Sequence, residues 1–301
     1  MAPDAHPRMH DDELAISTTL VRRLLAEQLP DLAGLPLREV GRGTVNAMYR
    51  LGDDLAVRLP RTAEWAGDLE RERVWLPRLG ERVSLRVPEP VAEGRSTDEY
   101  PLPWAVYRWL EGEHYGDALV DDERGAADDL ARFVRELRAG SVDGAPATGR
   151  RPLAELDEGT RAAIVEAGDL LDTAAVLAAW DRALAAPVFT GDPVWIHTDL
   201  LRPNLLVHDG RLAAVIDFGA VGVGDPAADV IAAWTVFGAA GRARYREALD
   251  VDDATWERSR GYALTQAALI VPYYRETNPA FTASAQRTIG EVLADLASRH
   301  T

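Results

Sequence analysis

The stretch that decides the fold covers residues 195–228 and reads WIHTDLLRPNLLVHDGRLAAVIDFGAVGVGDPAA. Two short apolar runs, 205–207 and 212–216, lie on either side of the pair Asp209-Gly210. An Asp-Gly pair between two such runs is the strongest short-range signal for a β-hairpin with a tight turn. We therefore predict a hairpin over 205–216.

Polar side chains stand at both ends of the predicted hairpin. Asn204 begins its first strand, Asp217 ends its second strand, and Asp199 lies five residues before Asn204 on the loop that leads in. A hairpin brings its two ends together, so we expect these side chains to gather at one rim. Two carboxylates and a carboxamide form a set of oxygen ligands that suits a divalent cation such as Mg²⁺.

Composition limits the class of protein. The chain has 301 residues, of which 47% are hydrophobic and 27% charged, a composition typical of globular enzymes. It has no cysteine, which excludes disulfides and thiolate chemistry, and we expect no secretory signal and no membrane span. The net charge of −16 argues against nucleic-acid binding. We interpret the protein as cytoplasmic, monomeric or homodimeric, and without nucleic-acid or membrane partners. The acidity would attract a cationic small substrate, but the scattered placement of Asp and Glu favours solubility as its explanation.

The first part of the chain reads as strands. After a tail over 1–12 that we expect to be disordered and a helix over 14–29, we predict three antiparallel strands over 37–40, 45–51 and 55–59. The first connection, 41–44, is rich in glycine, and such a loop can lay backbone N–H groups against phosphates. Taken alone this is a weak signal, because a plain turn explains it as well.

Arg58 lies in the third of these strands among apolar neighbours. A helix predicted over 68–79 carries Glu70 and Glu72, and either could pair with Arg58. The alternative is that these charges are solvated separately.

The rest of the chain is mostly helical. An extended segment over 87–91 and a strand over 104–110 precede predicted helices over 126–137, 161–185 and 242–299, the last interrupted near Asn278-Pro279. Asp225-Pro226 predicts a helix start, with Asp as the cap and Pro in the first turn. The buried face of that helix is predicted to comprise Val230, Ile231, Trp234 and Phe237.

Together these motifs resemble the signature of the aminoglycoside phosphotransferase family of small-molecule kinases. The matching segments are 41–52 (GRGTVNAMYRLG), 55–61 (LAVRLPR), 69–80 (LERERVWLPRLG), 107–113 (YRWLEGE), 197–207 (HTDLLRPNLLV), 214–219 (AVIDFG) and 223–230 (VGDPAADV).

The resemblance implies an α+β, bilobal, protein-kinase-like fold. A small β-rich lobe over 13–108 would bind the nucleotide, and a larger, mainly helical lobe over 109–301 would carry the catalytic loop and the substrate pocket. ATP (or GTP) and Mg²⁺ would be the cofactors, in a cleft between the lobes. The γ-phosphate would pass to a hydroxyl of a small molecule, such as an aminoglycoside or another antibiotic.

The resemblance also implies roles for single residues. Asp199 would be catalytic, accepting the proton of the attacking hydroxyl or orienting it. Asn204 and Asp217 would ligate the metal, while His197 and Asp229 would support the catalytic loop. The nucleotide would be bound by Gly41, Gly43, Thr44, Asn46, Arg58, Glu72 (with Glu70 as the fallback), Arg108 and Leu110, the last two in a hinge that meets the base.

Three residues depart from the family pattern: Arg58 stands where a lysine is usual, Thr198 where a glycine is common, and Ala220 where a polar residue is common. A protein kinase is disfavoured because 219–225 leaves no room for a peptide-binding segment. A nucleotide-binding pseudokinase, or a kinase of a metabolite such as choline or homoserine, stays open. Four acidic residues of the helical part were considered for binding a polycation, with a solvated face as the alternative: Asp117, Asp121, Asp122 and Glu123.

Overall fold

The computed structural model describes residues 13–42, 45–148 and 150–298. The predicted disordered tail over 1–12 lies outside the described residues. The chain divides into two compact units. The first, called the sheet unit below, contains the residues up to 82 together with 86–111 and 215–219, and the second, called the helical unit, contains 83–85, 112–214 and the residues from 220 onward.

The sheet unit contains a five-stranded antiparallel sheet within the described residues. The three strands predicted over 37–40, 45–51 and 55–59 form the first half of it, so that prediction is confirmed. The strands are β1 (Leu37–Arg42), β2 (Asn46–Leu51), β3 (Leu55–Pro60), β4 (Pro90–Gly94) and β5 (Trp104–Arg108), in the spatial order β1-β2-β3-β5-β4.

Two helices accompany this sheet: α1 (Thr18–Gln28) and α2 (Ala66–Gly80). The hydroxyl of Ser17 caps α1 by accepting a hydrogen bond from the amide of Leu20 at 3.2 Å. Leu24 of α1 belongs to the same buried cluster as Tyr49, Val57 and Trp104 of the sheet. The core of the unit therefore lies between α1 and one face of the sheet.

The hairpin predicted over 205–216 forms, as β8 (Leu205–His208) and β9 (Arg211–Val215). Asp209 and Gly210 both adopt positive φ, 50° and 74°, as a tight turn between right-twisted strands requires. The hairpin is extended by β6 (Glu113–His114), in the order β6-β8-β9. A separate pair joins β7 (Val194–Ile196) to β10 (Gly222–Gly224).

Helices make up most of the helical unit. They are α3 (Glu123–Arg138), α4 (Asp157–Glu166), α5 (Thr173–Leu184), α6 (Ala227–Val230), α7 (Ala232–Thr235), α8 (Ala239–Leu249), α9 (Asp253–Tyr274) and α10 (Pro279–Ser298). The predicted break near Asn278-Pro279 is confirmed, because α9 ends before it and α10 begins at the proline. No helix in the described part of the chain has the length and apolar character needed to cross a bilayer.

The single helix predicted over 161–185 is wrong. Gly168 adopts a φ of 56°, which ends the helical path after α4, and a short 3₁₀ turn follows. Asp172 then caps α5 by accepting from the amide of Ala175 at 3.0 Å. The apolar residues of both helices share one periodic pattern, which hid the interruption.

The helix predicted from Asp225-Pro226 begins one residue later than expected and is split into α6 and α7 at Ile231. The carboxylate of Asp225 still accepts from the amide of Ala227, at 2.9 Å. The predicted buried face is confirmed, since Val230, Ile231, Trp234 and Phe237 are all fully buried.

The boundary drawn from the sequence after 108 differs from the division of the structure in three places. Residues 83–85, which the sequence placed in the β-rich part, belong to the helical unit. Residues 109–111 belong to the sheet unit, and so does the short segment 215–219, which the sequence placed in the helical part. The segment joins the sheet unit because Asp217 contacts Arg58 of β3 and the amide of Phe218 donates to Glu72 of α2.

Candidate functional site

Arg58 is buried in the sheet unit, with 7% of its surface exposed. Nη1 donates to both carboxylate oxygens of Glu72 at 2.7 Å, and Nη2 donates to Oδ1 of Asp217 at 3.2 Å. The amide oxygen of Asn46, which faces the guanidinium, accepts from Nη2 and Nε at 3.0 Å. All three nitrogen atoms of the guanidinium thus contact protein acceptors.

Glu72 is fully buried and links several parts of the sheet unit. Besides Arg58 it accepts from the hydroxyl of Tyr107 on β5, at 2.7 Å, and from the amide of Phe218, at 2.9 Å. Of the two glutamates considered from the sequence, Glu72 is therefore the partner of Arg58. Glu70 lies on the exposed side of α2, where it pairs with Arg73.

Asp68 adds a third carboxylate near this cation. Burial raises the pKa of Asp68 from 3.8 to about 6; the charges of Asp217 and Glu72 act in the same direction, and Arg58 opposes them. The position one turn before Glu72 places Asp68 on the same face of α2. It lies so close to Gly219 that a Cβ on that glycine would come within 2.7 Å of its carboxylate.

Buried Arg58 also keeps its charge. Burial lowers the pKa of Arg58, but the carboxylates of Glu72 and Asp217 outweigh burial, so its pKa lies above the ordinary value. Asp217 itself adopts a φ of 66°, in the left-handed region that non-glycine residues rarely occupy. Strained conformations of this kind cluster at functional sites.

The remaining nucleotide residues expected from the sequence also fall in the sheet unit. Gly41 lies in β1, whereas Gly43 and Thr44 lie outside the described residues. At the predicted hinge, the amide of Arg108 donates to the carbonyl of Glu89 at 2.9 Å, and the amide of Trp109 donates to the carbonyl of Asp54 at 2.7 Å. Any base contact made through a hinge amide would therefore fall to Leu110.

Asp199 lies in the helical unit, on the loop between β7 and β8. Both of its carboxylate oxygens accept hydrogen bonds from side-chain amides: Oδ1 from Gln266 of α9, and Oδ2 from Asn204 at 2.7 Å. Nδ2 of Asn204 also donates to the main-chain carbonyl of Asp199, at 2.9 Å. The two side-chain amides thus fix the carboxylate in one orientation.

The turn before Asp199 is braced from the interior. Asp229, fully buried, accepts from the amides of His197 at 2.9 Å and Thr198 at 2.8 Å. Nδ1 of His197 accepts from the amide of Asp199 at 3.2 Å. Thr198, which replaces the glycine usual in the family, has a φ of 77°. The carboxylate of Asp229 therefore stabilises a turn that is strained for a residue with a side chain.

Beside the loop that carries Asp199, residues of α9 and α10 line a small cavity. Its lining carries no charged side chain: Leu201, Thr235, Ala263, Gln266, Ala267, Ile270, Phe281, Ser284, Ala285 and Thr288. Gln266 thus contacts both the cavity and Asp199.

Three of the four acidic residues that are candidates for binding a polycation have partners within the protein. Asp117 pairs with Arg202, and Asp122 caps α3 by accepting from the amide of Arg124. Glu123 accepts from the amides of Gly238 and Gly241, at 2.6 and 3.0 Å, at the start of α8. Local sequence could not show these contacts, because the partners of Asp117 and Glu123 lie far away along the chain.

The structure brings together the predicted residues of each unit. Asn46, Arg58, Glu72 and Asp217 form one cluster in the sheet unit, and His197, Asp199, Asn204 and Asp229 form another in the helical unit. Sequence reasoning missed Asp68, which the one-turn spacing from Glu72 could have indicated. It also missed Arg150 and Gln266, for which the sequence carries no signal.

Asn204 of the helical unit and Asp217 of the sheet unit each carry a side-chain oxygen of the kind that magnesium binds. Nδ2 of Asn204 points to Asp199, so its amide oxygen remains for a cation, and the carboxylate of Asp217 is 37% exposed. Among the described residues, no group of three or more His, Cys, Asp or Glu has the geometry of a metal site. A cation held by so few protein oxygens needs further ligands, as Mg²⁺ does when it binds together with nucleotide phosphates.

The chain matches the model of one protein family. The model of the phosphotransferase enzyme family, APH, matches residues 36–262. The chain belongs to this family. It is therefore a small-molecule kinase, and the resemblance seen in the sequence is confirmed. No curated protein matches the chain.

Solved structures show the fold of the family members that this chain is similar to. The GDP and kanamycin complex of APH(2'')-IIIa has 22% identity and a TM-score of 0.75, over 92% of this chain and 99% of that one. The streptomycin-ATP-APH(2'')-IIa ternary complex has 16% identity and a TM-score of 0.59, over 90% and 96%. Macrolide 2'-phosphotransferase MphH from Brachybacterium faecium has 22% identity and a TM-score of 0.59, over 88% and 97%. The expected kinase-like α+β fold is confirmed.

Proposed function

We propose that this kinase transfers the γ-phosphate of ATP or GTP to a hydroxyl of an antibiotic, with Asp199 as the residue that orients the hydroxyl and accepts its proton. The observation that carries the proposal is the double amide clamp on the Asp199 carboxylate. A carboxylate fixed in this way can receive a hydroxyl without first having to reorganise, and phosphoryl transfer depends mainly on such positioning. Because the reaction uses nucleoside triphosphates, we place it in the cytoplasm.

We propose that the sheet unit binds the nucleotide through Gly41, Gly43, Thr44, Asn46, Arg58, Glu72 and the 108–110 hinge. Since every nitrogen of Arg58 already contacts a protein acceptor, we expect a phosphate oxygen to replace one of these acceptors. Asp217 is the acceptor to be replaced, because its contact with Arg58 is the longest of the set, at 3.2 Å. Glu72 and Asn46 would then hold the guanidinium in place.

Asn204 and Asp217 would hold the magnesium, each through one side-chain oxygen. When bound, the ion neutralises charge on the phosphate oxygens. Asp229 and His197 would stabilise the turn over 197–199, and this turn would orient Asp199 towards the acceptor.

The acceptor is proposed to be a hydroxylated antibiotic. Two relatives of similar fold are complexed with aminoglycosides and another is a macrolide phosphotransferase. The overall charge of −16 favours a cationic acceptor. We therefore test aminoglycosides and a macrolide side by side.

The test uses the full chain with Mg²⁺, ATP or GTP, and one acceptor at a time: kanamycin, gentamicin, streptomycin, erythromycin, choline or homoserine. Release of the nucleoside diphosphate and the mass of the product are measured. Phosphorylation of an antibiotic supports the proposal, and phosphorylation of choline or homoserine alone replaces it with a metabolite kinase. Nucleotide binding without turnover on any acceptor would identify a pseudokinase.

A further inference from the structure

The side-chain amide of Gln266 joins the proposed catalytic carboxylate of Asp199 to a second partly buried side chain, that of Arg150. Nε2 of Gln266 donates to Oδ1 of Asp199, and Oε1 of Gln266 accepts from Nη2 of Arg150 at 2.8 Å. Arg is a donor only and a carboxylate is an acceptor only, so a single orientation of the amide satisfies both partners. Arg150, Gln266 and Asp199 therefore form a chain of hydrogen bonds in which each donor is directed towards Asp199.

Arg150 makes a second contact with the same loop. Its Nη2 also donates to the main-chain carbonyl of Thr198, the residue in the strained conformation. Burial lowers the pKa of Arg150 while the charge of Asp199 opposes that shift, so the cation interacts with the carboxylate although Gln266 lies between them. One guanidinium thus holds the peptide before Asp199 and the amide that clamps the carboxylate of Asp199.

The support comes from a long element. Gln266 belongs to α9, which spans Asp253–Tyr274 and packs against α10, α5 and α4. Side chains on helices are held more precisely than those on loops. The same residue lines the uncharged cavity, so a ligand in that cavity would touch the amide that clamps Asp199.

We infer that Gln266 and Arg150 are positioning residues for phosphoryl transfer, and that they set the direction in which Asp199 presents its carboxylate to the acceptor hydroxyl. The inference builds on the proposed function. It assigns to α9 and to the segment before α4 a part in catalysis that the sequence motifs do not contain.

The test compares Gln266→Met, which keeps the side-chain length but removes both hydrogen bonds, with Arg150→Met and Arg150→Lys. Gln286→Met is the matched control, because Gln286 donates from α10 to the carbonyl of Leu170, in the same unit but at a different place. The probes are Mg²⁺ with ATP or GTP, with water as the acceptor and with each antibiotic named above. We expect kcat to fall about 10- to 100-fold in Gln266→Met and Arg150→Met, with the nucleotide KM within about twofold.

Two further results distinguish positioning from a general loss of structure. Arg150→Lys should restore part of kcat, because an ammonium can still donate to the carbonyl of Thr198. The loss of kcat in the double variant should be smaller than the product of the two single losses, because Arg150 acts in part through its hydrogen bond to Gln266. A fall in kcat in the Gln286→Met control, or unchanged kcat in Gln266→Met, would overturn the inference.

A measurement without turnover separates this inference from the proposed function. Hydrogen exchange at the amides of Thr198 and Asp199 should accelerate at least about tenfold in Gln266→Met and Arg150→Met, while exchange in β8 and α10 stays unchanged. If the wild type phosphorylates nothing, the proposed function fails and hydrogen exchange alone decides the inference. Unchanged exchange at both amides would refute the inference even in an active enzyme.

Discussion

Nη1 of Arg58 lies 2.7 Å from both carboxylate oxygens of Glu72, in the interior of the sheet unit. Removing one partner of a buried ion pair leaves the other charge without compensation, and this typically costs 3–5 kcal/mol. Glu72→Gln should therefore lower the free energy of unfolding by about 3 kcal/mol. The shift is measured by denaturant unfolding without nucleotide.

Glu70→Gln is the control for this prediction. Glu70 is exposed, and its partner Arg73 is exposed as well, so the variant should change stability by less than about 0.5 kcal/mol. Equal shifts in the two variants would mean that the buried pair has no special role in stability.

One contact of Arg58 could be predicted from the sequence, and another could not. The short turn at 52–54 fixes the register of β2 against β3, in which Asn46 lies opposite Pro60 and Met48 opposite Arg58. Asn46 is therefore a diagonal neighbour of Arg58, a relationship that follows from the hairpin alone. The choice between Glu70 and Glu72 required the rotation of α2, which the sequence pattern did not determine.

Contacts between distant segments could not be predicted from the sequence. Gln266 is separated from Asp199 by 67 residues and from Arg150 by 116, and no motif connects them. Their contact depends on how α9 packs in the helical unit. The helix over 161–185 was predicted wrongly for a local reason. A glycine within a periodic pattern can either continue a helix or end it. The hairpin at Asp209-Gly210 was predictable because its signal is entirely local.

Asp199→Asn should nearly abolish phosphoryl transfer. An asparagine keeps the shape of the side chain but cannot take the proton of the hydroxyl, so we expect kcat to fall by about 100- to 10,000-fold. Nucleotide affinity should change little, because in the proposed mechanism Asp199 contacts the acceptor. The measurements are the initial rate with the acceptor found in the screen and the Kd of the nucleotide. A variant with more than half of the wild-type kcat would remove Asp199 from the mechanism.

Substitutions of Thr198 measure the backbone strain in the loop that carries Asp199. At a φ of 77°, a side chain costs about 1–2 kcal/mol relative to glycine. Thr198→Ala and Thr198→Gly both remove the hydroxyl and the methyl group, but only glycine relieves the strain. Thr198→Gly should therefore be more stable than Thr198→Ala by about 1 kcal/mol, as measured by thermal unfolding. If alanine proved the more stable of the two, the left-handed conformation of this residue would be contradicted.

Asp229→Asn should destabilise the helical unit and slow the reaction. Both carboxylate oxygens of Asp229 accept main-chain amides, and the NH₂ group of an asparagine would place a donor against a donor. We expect a loss of about 2–3 kcal/mol from the unsatisfied buried amide, together with a lower kcat. Tyr245→Phe is the control, because it removes only the hydrogen bond to the carbonyl of Asp229 and should cost about 1 kcal/mol. Stability and kcat are measured on the same preparations, and an Asp229→Asn variant as stable as Tyr245→Phe would contradict the brace.

Asp68 should make the stability of the sheet unit depend on pH, in a direction that the shift of its pKa determines. Its pKa in the fold, about 6, lies above the ordinary 3.8, so folding favours the protonated carboxyl. The stabilisation that this provides is complete below pH 3.8 and is lost as the pH rises through 6, because the carboxyl must then be charged while partly buried. Asp68→Asn, which stays neutral, should therefore be more stable than the wild type at pH 8 by about 1–2 kcal/mol after allowance for solvent screening. The difference should shrink towards zero as the pH falls to 4. Thermal unfolding of both proteins across this range, with EDTA present, measures it, and a gain in stability that is the same at pH 8 and pH 4 would show that the charge of Asp68 is not its cause.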